Sequence, residues 1–166
     1  MNKENDKYSK FVEHPRYGRG PRITGYNPKT DYGGKTFLHW HSPKECRIPN
    51  TAVKADVSKQ IIATFPVTDY FDVVRKCQDC GKWFIFFAGE QKFWYETLSF
   101  TLDADCIRCI NCRKKDQKVR SMQQIYGKLI KQDSRTKKET KKLKNVALEL
   151  YQLGYIRDVN KVNKII

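Results

Sequence analysis

Cys77-Gln78-Asp79-Cys80-Gly81 and Cys109-Ile110-Asn111-Cys112 decide how this chain is read. Two Cys-x-x-Cys pairs stand with 28 residues between them, each spaced to grip one side of a tetrahedral ion. Zinc suits four thiolates because it is soft enough for sulfur and brings no redox chemistry. We therefore expect one Zn²⁺ on Cys77, Cys80, Cys109 and Cys112. Gly81 follows the first pair, where a knuckle must turn back and the backbone needs freedom at positive φ. Disulfides are the competing use of such cysteines. They fit poorly with an N-terminus that is polar and charged rather than a secretory signal, so the expected compartment is reducing and cytoplasmic.

Cys106 complicates the second pair, because Cys106, Cys109 and Cys112 recur every third residue and either adjacent pair could bind. Cys109 and Cys112 are preferred because Arg113 opens a helix-forming stretch. Ligands three apart in a helix's first turn point the same way. Cys106 is then a spare thiol or a neighbour behind the ligands.

Residues 66–112 carry ten of the chain's 21 Phe, Trp and Tyr residues. Trp83-Phe84-Ile85-Phe86-Phe87 reads as a strand buried on both faces. A short strand is expected around Tyr70–Val74, after Pro66 and Asp69. Glu90 to Glu96 reads as a short helix or turn with Phe93, Trp94 and Tyr95 in the core, and Leu98 to Asp105 as a strand or loop. A core this small leaves much of the folding energy to metal.

Charge is uneven. Residues 1–65 hold 12 basic and 6 acidic side chains, residues 66–112 hold 5 and 7, and residues 113–166 hold 16 and 5. A near-neutral centre between two basic segments attracts polyanions, of which nucleic acid is the commonest. The longest apolar run, residues 83–88, is six residues, far short of the roughly 20 of a membrane span, so no membrane is expected.

Upstream, residues 1–13 are polar and expected to be weakly ordered. Residues 14–28 place three prolines and three glycines among aromatics and arginines, which predicts an extended, turn-rich arm. Arg16, Arg19 and Arg22 recur every third residue near Tyr17 and Tyr26. Arginine suits phosphate and aromatic rings suit unstacked bases, although such an arm can equally wrap its own protein. His39-Trp40-His41 and Cys46 lack a fourth ligand at suitable spacing, so they read as partly buried histidines and a free thiol. Residues 48–52 read as a loop and residues 53–62 as a short helix or extended run.

Downstream, Val119, Met122, Tyr126 and Leu129 step by three and four along one helix face. Asp133 and Ser134 interrupt it, and Thr136-x-x-Glu139 predicts a capping box for a second helix that Gly154 ends. Leu143, Val146, Ala147, Leu150 and Tyr151 form its apolar stripe. Lys137, Lys138, Lys141 and Lys142 fall opposite, and with Lys144 make the sharpest basic patch in the chain. Ile156, Val159, Val162, Ile165 and Ile166 could make a third helix. The expected division is an extended basic arm (1–65), a zinc-binding domain (66–115) and a basic helical tail (116–166).

Cys77-x-x-Cys80-Gly81, Phe84 to Phe87, Ala88-Gly89-Glu90-Gln91-Lys92-Phe93-Trp94-Tyr95-Glu96 and Arg108-Cys109-x-x-Cys112-Arg113 together resemble the bacterial probable zinc-ribbon domain family of treble-clef type. Residues 15–25 and 48–52 are similar to N-terminal extensions seen with it, so the resemblance covers about residues 14–113. It implies zinc at Cys77, Cys80, Cys109 and Cys112 and no defined activity. The fold class expected is a small α+β zinc-binding domain with a treble-clef/zinc-ribbon core, an extended N-terminal arm and a C-terminal helical hairpin.

The functional expectation is a non-enzymatic zinc protein that binds nucleic acid, RNA ahead of DNA. Arg16, Arg19, Arg22, Lys137, Lys138, Lys141, Lys142 and Lys144 would touch phosphates. The alternative is a zinc-dependent adaptor whose stripe from Leu143 to Tyr151 docks on an acidic protein partner. An enzyme is not expected. A metallonuclease needs a histidine base and an open metal position, yet His14, His39 and His41 all precede Cys77, and four thiolates close the zinc shell.

Overall fold

The computed structural model describes residues 7–29, 36–61 and 64–165. The expectations for residues 1–6, for 30–35 within the basic arm of 1–65, and for Ile62 and Ile166 lie outside them. The chain forms a small α+β structure of two compact units, Met1–Cys112 and Arg113–Ile166. The segment 1–65, read from sequence as a separate arm, belongs to the same unit as the cysteines.

In the first unit, β1 (Val53–Lys54) pairs antiparallel with β2 (Asp69–Tyr70). β3 (Val73–Lys76) pairs antiparallel with β4 (Trp83–Phe86), Val73 opposite Phe86 and Lys76 opposite Trp83. The helix α1 (Ala88–Glu96) follows. The strand expected across Tyr70–Val74 is thus two strands in two sheets, broken at Phe71-Asp72. Asp72 is the reason. Its carboxylate is buried; Oδ2 accepts the backbone N–H of Arg22 and Oδ1 that of Ala88, each at 2.7 Å. Its own N–H donates to Oγ1 of Thr51 at 3.0 Å and its carbonyl accepts the N–H of Ile48 at 2.9 Å, so this backbone bonds to the 48–51 loop instead of continuing either ladder. Ala88 is the first residue of α1, and the N-cap Phe87 offers no side-chain bond. Asp72 supplies the missing acceptor, and its charge faces the positive end of the helix.

The aromatic strand is buried on both faces, as its composition predicts. Phe84 and Phe86 pack with Cys77, Cys106 and Cys109, while Ile85 and Phe87 pack with Ile48. Trp83 is the exception, about half exposed and stacked on Phe11 at 6.4 Å. On α1, Gln91 donates from Nε2 to the carbonyls of Phe71 (2.6 Å) and Phe86 (3.0 Å), and Tyr95 donates from its hydroxyl to Ala104 (2.6 Å). Phe93 departs from the core reading. It lies two residues from Gln91, about 200° around the helix, and is exposed. Residues 98–105 take the loop form of the two expected, with a turn at 102–103.

The N-terminal segment is extended and turn-rich, and it packs on its own unit. The N–H of Val12 donates to Trp83 O (2.8 Å) and that of Thr24 to Asn50 O (2.7 Å). The ring of Tyr17 lies on Phe87 (centroids 5.1 Å) and crowds Gly89, where a Cβ would sit 3.1 Å from the ring. Glycine leaves room for this approach, and a larger residue would make the ring shift.

The second unit is helical. α2 (Ile110–Ile130) begins in the last residues of the first unit, and α3 (Lys137–Gln152) and α4 (Asn160–Asn163) follow. The capping box at Thr136 and Glu139 forms in both directions, and Gly154 takes φ 80° after the helix end. The third helix is shorter than its apolar pattern suggested, because the Asp158 side chain accepts the N–H of Asn160 (2.9 Å) and starts the turn late. Leu143, Ala147 and Leu150 are buried against Leu129, Val162, Ile165, Val119 and Met122. The stripe that motivated an adaptor reading is therefore largely covered by this unit's own core.

Candidate metal centre

The β3–β4 hairpin carries the first cysteine pair in its turn. The N–H of Cys77 donates to Lys82 O and that of Gly81 to Cys77 O, both at 2.9 Å. Gly81 closes the turn at φ 70°, the left-handed conformation expected of it. The second pair comes from the entry to α2. Cys109 immediately precedes the helix and Cys112 lies in its first turn. Two links hold these segments together: Gln78 N–H donates to Ile107 O (3.0 Å), and Arg108 pairs with Asp79 (3.1 Å).

The four Sγ atoms of Cys77, Cys80, Cys109 and Cys112 lie within 4.8 Å of one another. Cys80 and Cys109 are 3.8 Å apart, sulfur to sulfur. A tetrahedral ion with bonds of about 2.3 Å to sulfur needs sulfurs about 3.8 Å apart, so the residues present fit zinc. Their acidity agrees. Burial raises the Cys77 thiol, but the backbone N–H groups of Cys109, Cys80 and Asp79 outweigh it and bring it down to about 6. Burial, together with neighbouring thiols, pushes Cys109 and Cys112 up. Sulfurs this close cannot all be thiolates unless a cation sits among them.

Cys106 stands apart. It is buried beside the ligands, outside the cluster of four, and its thiol donates to Arg108 O at 3.5 Å. The choice between two overlapping pairs falls to Cys109 and Cys112 because the helix starts at Ile110 and not earlier.

Residues 71–121 match the family model described as a probable treble clef domain. No curated protein and no solved structure matches the chain. The match takes in the hairpin, α1 and the first half of α2, and leaves out the upstream stretches. With the clustered cysteines it defines a probable zinc treble-clef domain, the class to which this part of the chain is assigned.

His39 and His41 do not make a second centre. Among the described residues no other group of His, Cys, Asp and Glu gathers at metal-binding distance. His39 is buried, and burial, with His41 beside it, pushes it down to about 4, so it stays neutral. Its Nδ1 accepts the N–H of His41 at 3.1 Å. Asp105 pairs with Arg75 at 2.9 Å, which holds the loop before the second cysteine pair.

The basic residues divide. Arg16, Arg19 and Arg22 are all exposed on a backbone that is tied down. Arg19 is paired with Glu13 (2.9 Å), and Arg16 lies over Tyr17 (5.5 Å). On α3, Lys137, Lys141 and Lys144 line a groove of about 570 Å³ together with Arg135, Thr140 and Ile165. Lys138 and Lys142 are exposed but turned about 100° away from it. Arg135 was missed by the sequence reading. It donates from Nη1 to Leu129 O (3.1 Å) and Gln132 O (3.0 Å), at the C-terminal end of α2. The legible signal was an arginine just past a helix end, where spare carbonyls seek donors. No described helix is long and apolar enough to cross a membrane.

Proposed function

We propose that this zinc protein binds nucleic acid, RNA ahead of DNA, and performs no chemistry on it. The observation that carries the reading is the α3 groove, where Arg135, Lys137, Lys141 and Lys144 converge without a carboxylate among the described lining residues. Ion pairs of this unit include Lys118 with Glu149 and Arg120 with Asp116. None of the five α3 lysines is paired with a carboxylate among the described residues. Unpaired cations around one groove repel each other, and a phosphate chain relieves that repulsion while releasing its counterions. The first unit adds exposed Arg16 and Arg22 and the exposed ring of Tyr26, a mixture that suits single-stranded polymer with splayed bases.

Zinc, bound by four sulfurs, would serve as a structural ion that holds the hairpin against the start of α2. A filled tetrahedral shell leaves no position for a substrate or water. Binding of the zinc-loaded chain to short single- and double-stranded RNA and DNA, across a salt series, tests the proposal. Affinity that falls steeply with salt and is strongest for single-stranded RNA is the expected result. No binding at low salt would sink it.

A further inference from the structure

A second cationic cavity lies in the first unit. It encloses about 380 Å³, within the range of small-molecule sites, and is lined by Lys29, Lys44 and Arg47 with Asn27, Pro28, Pro49 and Phe71. Among the described residues no carboxylate lines it, and none of the three cations is paired with one. The cations come from segments distant in sequence, brought together because residues 24–26 bond to the 50–52 loop and Arg47 bridges to Val73.

Arg47 is the pivotal group. It is half-buried, with its guanidinium over the Phe71 ring at 5.8 Å and its Nε–H donating to Ser42 O. A guanidinium has five N–H donors, and among the described residues only this one has a protein acceptor. Burial lowers its pKa, and Glu45 nearby offsets that in part. A held guanidinium with open donors, flanked by two lysines, fits an oxyanion such as phosphate. The remaining walls are two proline rings, a phenylalanine and Asn27, which fit a flat body with apolar faces and a polar edge.

We propose that this cavity binds a nucleotide, its phosphate on Arg47, Lys44 and Lys29 and its base against Pro28, Pro49 and Phe71. The nucleotide can be free or an unstacked residue of a single strand. The inference does not depend on the α3 groove, which lies in the other unit.

The test uses the full zinc-loaded chain and titrates adenosine monophosphate, adenosine, inorganic phosphate and a five-nucleotide single-stranded RNA, followed by calorimetry. Wild type is compared with K29Q/K44Q, which changes only exposed side chains, and with K137Q/K141Q/K144Q. The expected result is monophosphate binding that weakens tenfold or more in K29Q/K44Q and is unchanged in the α3 variant. Binding of the pentamer alone, weakened by K29Q/K44Q, also supports the site and identifies polymer as the source. Phosphate binding as tightly as the nucleotide overturns the role given to the apolar walls. If K29Q/K44Q changes no titration, the site is overturned, while loss of pentamer binding in the α3 variant would leave the groove reading standing.

Discussion

Replacing Lys137, Lys141 and Lys144 by Gln separates a nucleic-acid groove from a merely basic helix. The groove presents four cations, counting Arg135. If each neutralises one phosphate of a single strand, the groove contributes a slope of about −2.8 to log K against log salt, at roughly 0.7 per contact. Raising salt from about 50 to 200 mM then weakens binding about 50-fold through this groove. The triple variant keeps Arg135 alone, and its slope should be shallower by about 2. K138Q/K142Q removes charge from the same helix but outside the groove, so its slope should match wild type. Both variants alter exposed positions with similar helix propensity, and α3 should stay folded. Fluorescence anisotropy of a labelled single-stranded RNA at several salt concentrations reads both slopes, with circular dichroism as the folding control. Equal changes in the two variants would mean that net charge, not the groove, carries binding. An unchanged slope in the triple variant would refute the phosphate contacts outright.

Three further outcomes are expected. Chelating zinc should unfold the first unit, because structural zinc is worth about 10–16 kcal/mol against a typical total stability of about 5–15 kcal/mol. The second unit's core contains no cysteine, so α3 should retain its helical signal; C109S should lose zinc and C106S should keep one ion per chain, as counted by native mass spectrometry. Asp72 should make stability fall with rising pH. Burial raises its carboxyl to about 6, the N–H bonds from Arg22 and Ala88 offsetting only part, so the folded state holds the proton more tightly than an unfolded chain near 3.9. Between about pH 4 and 6 the folded state therefore binds more protons, and stability declines through that window before levelling off. This costs wild type on the order of 1 kcal/mol between pH 5 and 7.5, a loss that D72N lacks; urea unfolding of both proteins at both pH values would expose the error if their pH dependence were the same. G89A sets a methyl 3.1 Å from the Tyr17 ring, which must shift by a few tenths of an ångström, so the strain should offset the gain of about 1 kcal/mol that Gly→Ala brings within a helix; thermal unfolding reads it, and stabilisation by that full amount would contradict the packing described.

The metal centre was legible in the sequence because its chemistry is local. Each Cys-x-x-Cys pair needs only one turn of backbone to bring its sulfurs together, and Gly81 marks the one residue that must take positive φ. The capping box at Thr136 and Glu139, the buried run Phe84–Phe86 and the stripe on α3 were legible for the same reason, since each is written within a few neighbouring residues of its own element. The break at Asp72 was not. A lone aspartate in a β-rich run says nothing of the backbone N–H groups it will accept, and these come from Arg22 and Ala88, 50 and 16 residues away.

Tertiary structure alone decided the rest. Residues 14–25 could have served as a free basic arm or as a wrap, and the packing of Tyr17 on Phe87 and Gly89 made them a wrap. Five lysines on one helix looked equivalent, and the fold set three of them with Arg135 around a groove. Lys29, Lys44, Arg47 and Phe71 share no motif, and they line one cavity only because distant segments meet there. Ligands one turn apart are written in sequence spacing, whereas a cavity or groove exists only where non-local backbone contacts close.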